Sequence, residues 1–183
     1  MWNERRTDAD SVVALFVPRY KVRRMAEKSS GFQGGLLVRS LAETEDLARR
    51  IAPGLRAGDA VALKGELGAG KTTLARAILR ALGVDDEVPS PSFTLVQEYE
   101  TAGLRILHCD LYRITDCAEL AELGIEEALC ESAVLIEWPE RAQSRIPHNA
   151  LWIEMEISGE SERRMAISGP ERWSFLRDGN GAQ

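Results

Sequence analysis

No apolar run in the chain approaches the length of about 18 residues that a helix needs to cross a bilayer, which excludes a helical membrane span. The longest early run, Val12 to Val17, is too short for the core of a secretion signal and has no small-residue cleavage site behind it. Cysteine is scarce: Cys109, Cys117 and Cys130 are odd in number and irregularly spaced, with neither a C-x-x-C nor a nearby histidine pair. That excludes a disulfide framework and a zinc site of ordinary spacing, and implies reduced thiols in a cytoplasmic protein. The body of the chain also has no basic surplus. Residues 1 to 34 carry seven Lys/Arg against four acids, a balance of +3, so the rest of a chain of net charge −6 stands at −9. Gripping bare nucleic acid needs clustered Lys/Arg to neutralise phosphates, so any link to RNA is expected to run through partners.

The 183 residues, 44% hydrophobic and 28% charged, suffice for one core and not for two full domains. Residues 1 to 34 have no sustained period and lead into Ser29-Ser30-Gly31-Phe32-Gln33-Gly34-Gly35, a linker composition. The expected organisation is therefore a disordered arm over 1–34, a folded domain over 35–177 and a disordered tail over 178–183. Met25 could begin a complete domain, and a basic arm could instead dock a partner.

Within the body, Leu36 to Ser40 reads as a strand, followed by a helix led by Glu43 with Leu47, Ala48 and Ile51 at helical spacing. Ala60 to Lys64 is an apolar strand, and Thr72 to Leu82 a helix closed by Gly83. Leu95 to Glu100 and Leu104 to Asp110 form a hairpin around Thr101-Ala102-Gly103, preceded by the proline-braced segment Val88 to Thr94. Asp116 caps a short helix that Gly124 breaks, and Ile125 to Cys130 forms another. Ala133 to Glu137 is a wholly apolar strand ending in an acid. A helix through Arg145, strands at Leu151 to Ile157 and Arg164 to Ser168, and a short helix at Pro170 to Arg177 follow. Strands and helices alternate, so the fold class is α/β: a mixed sheet flanked by helices, with an antiparallel hairpin.

The chain is organised around Gly65-Glu66-Leu67-Gly68-Ala69-Gly70-Lys71-Thr72, which is G-x-x-x-x-G-K-[ST] between an apolar strand and a helix, the placement a P-loop requires. Glycines let successive backbone N–H groups turn inward around phosphate oxygens, and the following helix adds its positive end. In that pattern Lys71 reaches the outer phosphates and the Thr72 hydroxyl ligates Mg²⁺. Hydrolysis further needs an acid on the metal side and a group that orients water. Two strand-terminal acids, Asp110 and Glu137, are available, and the uninterrupted apolar strand before Glu137 fits the metal-side role better. His108, beside an apolar strand, reads as a hydrogen-bonded structural residue. Tyr112 and Arg113 read equally as packed aromatic and surface cation or as parts of the site. Trp138 adjoins a candidate acid and either packs near a nucleotide or plugs the core.

Taken in order, the P-loop through Leu74, Val88-Pro89-Ser90-Pro91-Ser92-Phe93-Thr94-Leu95, His108-Cys109-Asp110-Leu111-Tyr112-Arg113, Glu122-Leu123-Gly124 and Ile136-Glu137-Trp138-Pro139-Glu140-Arg141 resemble the TsaE (YjeE) family over roughly residues 36 to 175. The resemblance implies an ATP- and Mg²⁺-binding P-loop protein that joins the TsaB and TsaD proteins, which place a threonylcarbamoyl group on N6 of adenosine 37 of tRNA. It implies hydrolysis that resets that complex between cycles, not the transfer itself. By position, Gly65 to Thr73 cradle phosphate, with Lys71 on phosphate and Thr72 and Glu137 on the metal. Asp110 lies near the γ-phosphate, Ser92 in a nucleotide-sensing loop and Trp138 near the nucleotide. The family commonly has Thr where Ser92 stands and an aromatic where Cys109 stands. The competing expectation, a P-loop small-molecule kinase, calls for an Arg-rich lid, and after Glu137 only Arg141 and Arg145 lie close together.

Overall fold

The computed structural model describes residues 31–85 and 87–177. Seven strands form one mixed sheet: β1 (Phe32–Val38), β2 (Ala60–Gly65), β3 (Val96–Glu100), β4 (Arg105–Asp110), β5 (Ser132–Glu137), β6 (Leu151–Ile157) and β7 (Arg163–Gly169). Their order is β1-β7-β6-β2-β5-β4-β3. The central strands β6, β2, β5 and β4 are parallel, while β3, β7 and β1 add antiparallel edges. Every residue of β5 is buried, as a parallel strand covered on both faces must be, and this is why Ala133 to Ile136 are an unbroken apolar run.

Alternation along each strand sorts the core into two layers. Val61, Leu63, Leu135 and Ile153 meet α1 (Leu41–Ile51), α2 (Lys71–Ala81) and a 3₁₀ turn at Glu171–Leu176 that buries Trp173. Leu107, Cys109, Val134 and Ile136 face the other way, against α3 (Cys117–Glu122), α4 (Ile125–Ala128) and the 3₁₀ segment Pro139–Arg145. Ser40 caps α1 by accepting from the Glu43 N–H, and Leu47, Ala48 and Ile51 form its buried stripe.

The first strand corrects the expectation drawn from the linker composition. Phe32 to Gly34 do not belong to an arm: they pair with β7, Phe32 opposite Gly169, and Phe32 is buried. Two glycines made the segment look unstructured, whereas β1 is an edge strand stapled by one aromatic. Residues 1–30 and 178–183, expected to be an arm and a tail, lie outside the described residues. The segment after Pro139 is 3₁₀ rather than α-helical. The remaining strands match their expected positions within a residue or two.

Candidate active site

The carboxyl ends of β2, β4 and β5 converge on the N-terminus of α2. Gly65, the last residue of β2, has φ +154, and a Cβ there would stand 2.5 Å from the Met155 carbonyl oxygen of β6, so only glycine lets the loop leave the sheet at this point. Gly70 caps α2 at φ +104. The helical ladder starts with the Leu74 N–H to the Gly70 carbonyl at 2.9 Å, which leaves the amides of Lys71, Thr72 and Thr73 without helical partners. This is the donor set a phosphate takes at a helix N-terminus. The side chains of Leu67 and Thr73 are exposed, whereas Ala69 is buried beneath the loop.

Lys71 is buried and folded back along the loop, its Nζ donating at 2.8 Å to the carbonyls of both Gly65 and Glu66. The same ammonium lies 3.8 Å from the centre of the Trp138 ring, a cation–π contact. Burial pushes its pKa below the ordinary lysine value, opposed by Glu137, Glu140, Asp110 and Glu66. Trp138 holds this place because its backbone is left-handed, φ +58, immediately after β5, with its N–H on the Leu63 carbonyl. Its ring is in turn tilted against Tyr112, centroids 4.9 Å apart.

The two acids sit side by side, Asp110 opposite Glu137 in the β4–β5 register, and both are buried. Each belongs to its own network. Glu137 accepts from the Thr72 hydroxyl at 2.7 Å on Oε2 and lies 2.8 Å from His108 Nε2 on Oε1. Asp110 accepts from the Ser92 hydroxyl at 2.7 Å and from the Tyr112 N–H at 3.0 Å, and Ser92 is within 2.8 Å of Ser90. The loop carrying Ser92 is closed by the Leu95 N–H on the Pro91 carbonyl, with Leu95 at φ +64, and Leu95 then accepts from the Asp110 N–H. Pro91 and Leu95 thereby deliver the loop hydroxyls to the acid at the end of β4.

Lys71, Thr72, Ser92, Asp110, Glu137 and Trp138 thus gather at one end of the sheet. Two contributors were not legible as such. His108 sits against the metal-side candidate rather than in a merely structural bond, a contact visible only once β4 and β5 are paired. Arg163, at the start of β7, donates to the carbonyls of Ala69 at 3.1 Å and Gly68 at 3.3 Å in the P-loop and to those of Gly159, Glu160 and Glu162 in the β6–β7 turn. It braces the loop from outside, with carbonyls turned towards the guanidinium and away from the cradle. Arginine alone has donors in a fork wide enough for both segments, but a single Arg nearly a hundred residues from the loop carries no sequence signal.

Among the described residues no group of three or more His, Cys, Asp or Glu is arranged to hold a metal unaided. Thr72 and Glu137 fit Mg²⁺, an ion usually bound through one or two protein oxygens together with substrate phosphates.

A mixed α/β sheet with this loop, this lysine and a strand-end acid on the loop threonine defines a P-loop-type protein. The family model described as threonylcarbamoyl adenosine biosynthesis protein TsaE matches residues 38–165. A Rickettsia felis tRNA threonylcarbamoyladenosine biosynthesis protein TsaE is 38% identical over 144 residues, covering 78% of this chain and 84% of that protein. Its Bacillus subtilis counterpart is 35% identical over 127 residues, 69% of this chain and 79% of the relative. The crystal structure of Bacillus subtilis YdiB superimposes with a TM-score of 0.67 at 28% identity, covering 80% of this chain and 92% of that one. The chain belongs to the TsaE family, which is involved in tRNA threonylcarbamoyladenosine biosynthesis.

Proposed function

We propose that this protein is the ATP-binding and ATP-hydrolysing component of the tRNA N6-threonylcarbamoyladenosine machinery, acting in the cytoplasm and resetting a complex of TsaB and TsaD family proteins between cycles. The observation that carries this is the hydrogen bond from the Thr72 hydroxyl to Glu137, with Lys71 one residue away: loop threonine, loop lysine and strand-end acid already share one locus. The amides at the start of α2 and the Lys71 ammonium, released from the Gly65 and Glu66 carbonyls, take the phosphates. Thr72 and Glu137 hold the metal. When bound there, Mg²⁺ would supply charge neutralisation for the phosphates. Asp110, held by Ser92 and the Tyr112 amide, presents a fixed carboxylate that orients the attacking water. The body's net charge of −9 over residues 35–183 disfavours a grip on tRNA phosphates, so in this reading RNA is reached through the partner proteins.

The test is phosphate release from ATP by the protein alone and with TsaB and TsaD family proteins from the same organism. Turnover should be slow alone, rise several-fold with both partners and vanish in Lys71→Ala. Partner-independent phosphoryl transfer to a small metabolite would instead identify a kinase.

A further inference from the structure

His108 is wholly buried in β4, on the sheet face it shares with Ile106, Leu135 and α2. An apolar side chain would suit that face, and the imidazole is an awkward choice because its Nδ1 is buried with no hydrogen-bond partner among the described residues. An orphaned buried nitrogen costs stability. What the ring provides in return lies on its other side, where Nε2 is 2.8 Å from Glu137 Oε1. A carboxylate only accepts, so Nε2 is the donor in this contact. Glu137 is therefore gripped on both oxygens, by Thr72 on Oε2 and by His108 on Oε1.

The two grips are unequal. Thr72 is partly exposed at the mouth of the P-loop, and its hydroxyl must serve the metal as well as Glu137. His108 is walled into the sheet, one strand over, and cannot leave. We infer that His108 is a positioning residue for Glu137: its Nε2–H holds the carboxylate in the orientation that receives Mg²⁺ while Thr72 turns to the metal. Partners of this kind around metal carboxylates commonly govern affinity for the ion without touching it. The inference rests on Glu137 being the metal-side acid, and the experiment separates the two.

ATP binding is titrated by calorimetry in EDTA and at a series of Mg²⁺ concentrations for the full chain and for His108→Leu, His108→Gln, Glu137→Gln and the His108→Leu/Glu137→Gln double variant. His108→Leu should raise the Mg²⁺ concentration at half effect about tenfold while leaving ATP affinity in EDTA within twofold. His108→Gln, which keeps a nitrogen donor at similar reach, should recover most of the loss, and the double variant should match Glu137→Gln alone. Equal weakening with and without Mg²⁺ would mark a structural residue and overturn the inference. If Glu137→Gln moves the Mg²⁺ requirement and His108→Leu does not, His108 is not its positioner and the reading of Glu137 stands. If neither moves it, both fall. Should His108→Leu not fold, ring ¹⁵N spectra of the unaltered protein decide. The only other histidine, His148, is exposed, and His108 should appear as the Nε2–H tautomer with and without Mg²⁺ and nucleotide. An Nδ1–H tautomer would turn a lone pair on the carboxylate and overturn the inference.

Discussion

Burial acts on Lys71 and Cys109 by the same rule and with opposite results for their pKa values. In both cases it disfavours the charged form, so the Lys71 ammonium is lowered from its ordinary value and the Cys109 thiol is raised to about 12. For Lys71 the folded chain holds its proton less tightly than the unfolded one, so its contribution to stability rises with pH between the lowered value and 10.5. In the proposed role, a nucleotide polyphosphate would reverse that preference by favouring the cation. Burial therefore keeps Cys109 a thiol at neutral and mildly alkaline pH, and since the thiolate is the reactive species its reactivity is suppressed there. Alkylation at mildly alkaline pH, mapped by mass spectrometry, should therefore modify the exposed Cys130 and spare Cys109 until denaturant is added. Modification of Cys109 at the rate of Cys130 in the folded protein would contradict its burial. The aromatic expected at position 109 from the family pattern is not missed there, because Cys109 packs fully within the layer formed by Leu107, Val134 and Ile136.

At the scale of elements, patterns that rest on local physics were legible. The β2–loop–α2 unit, the β3–β4 hairpin and β5 each declare themselves through glycine placement, a Gly-containing turn or a continuous apolar run. β1 did not. Its Gly34 and Gly35 imitate a linker, and what makes the segment a strand is long-range: backbone pairing with β7 and the burial of Phe32 under the core. A chain begun at Gly35, which composition alone makes look harmless, loses that anchor. Phe32→Ala should lower unfolding stability by about 3 kcal/mol, the usual cost of emptying a buried aromatic site, measured by denaturant titration, and a start at Gly35 should lower it at least as much. Stability unchanged by either would mean β1 contributes nothing. The 3₁₀ form of Pro139–Arg145 was equally hidden, because Trp138 enters it through a left-handed backbone that only the approach to Lys71 explains.

For the whole molecule, the sheet collects at the carboxyl ends of its central strands what the sequence spreads over more than seventy residues. Gly65, Lys71, Thr72, Asp110, Glu137 and Trp138 were each readable as candidates because strand ends and a P-loop have local signatures. Which partners they take was not readable, since Thr72–Glu137, Ser92–Asp110 and His108–Glu137 depend on the register between β4 and β5 and on where α2 begins. No helix among the described residues is long and apolar enough to cross a membrane, and the site opens at the carboxyl end of the parallel strands. The proposed role asks this site to bind ATP with Mg²⁺ before any partner is present.

That demand is met or failed in one titration. Calorimetry of ATP into the isolated protein with Mg²⁺ should give saturable binding at one site per chain. Lys71→Ala should lose at least about tenfold in affinity, since a buried charge-assisted contact is worth some 1.5–3 kcal/mol, while keeping a thermal midpoint within a few degrees of the parent. Absence of binding by the parent, or unchanged binding by Lys71→Ala, would contradict the assignment of this loop as the nucleotide site.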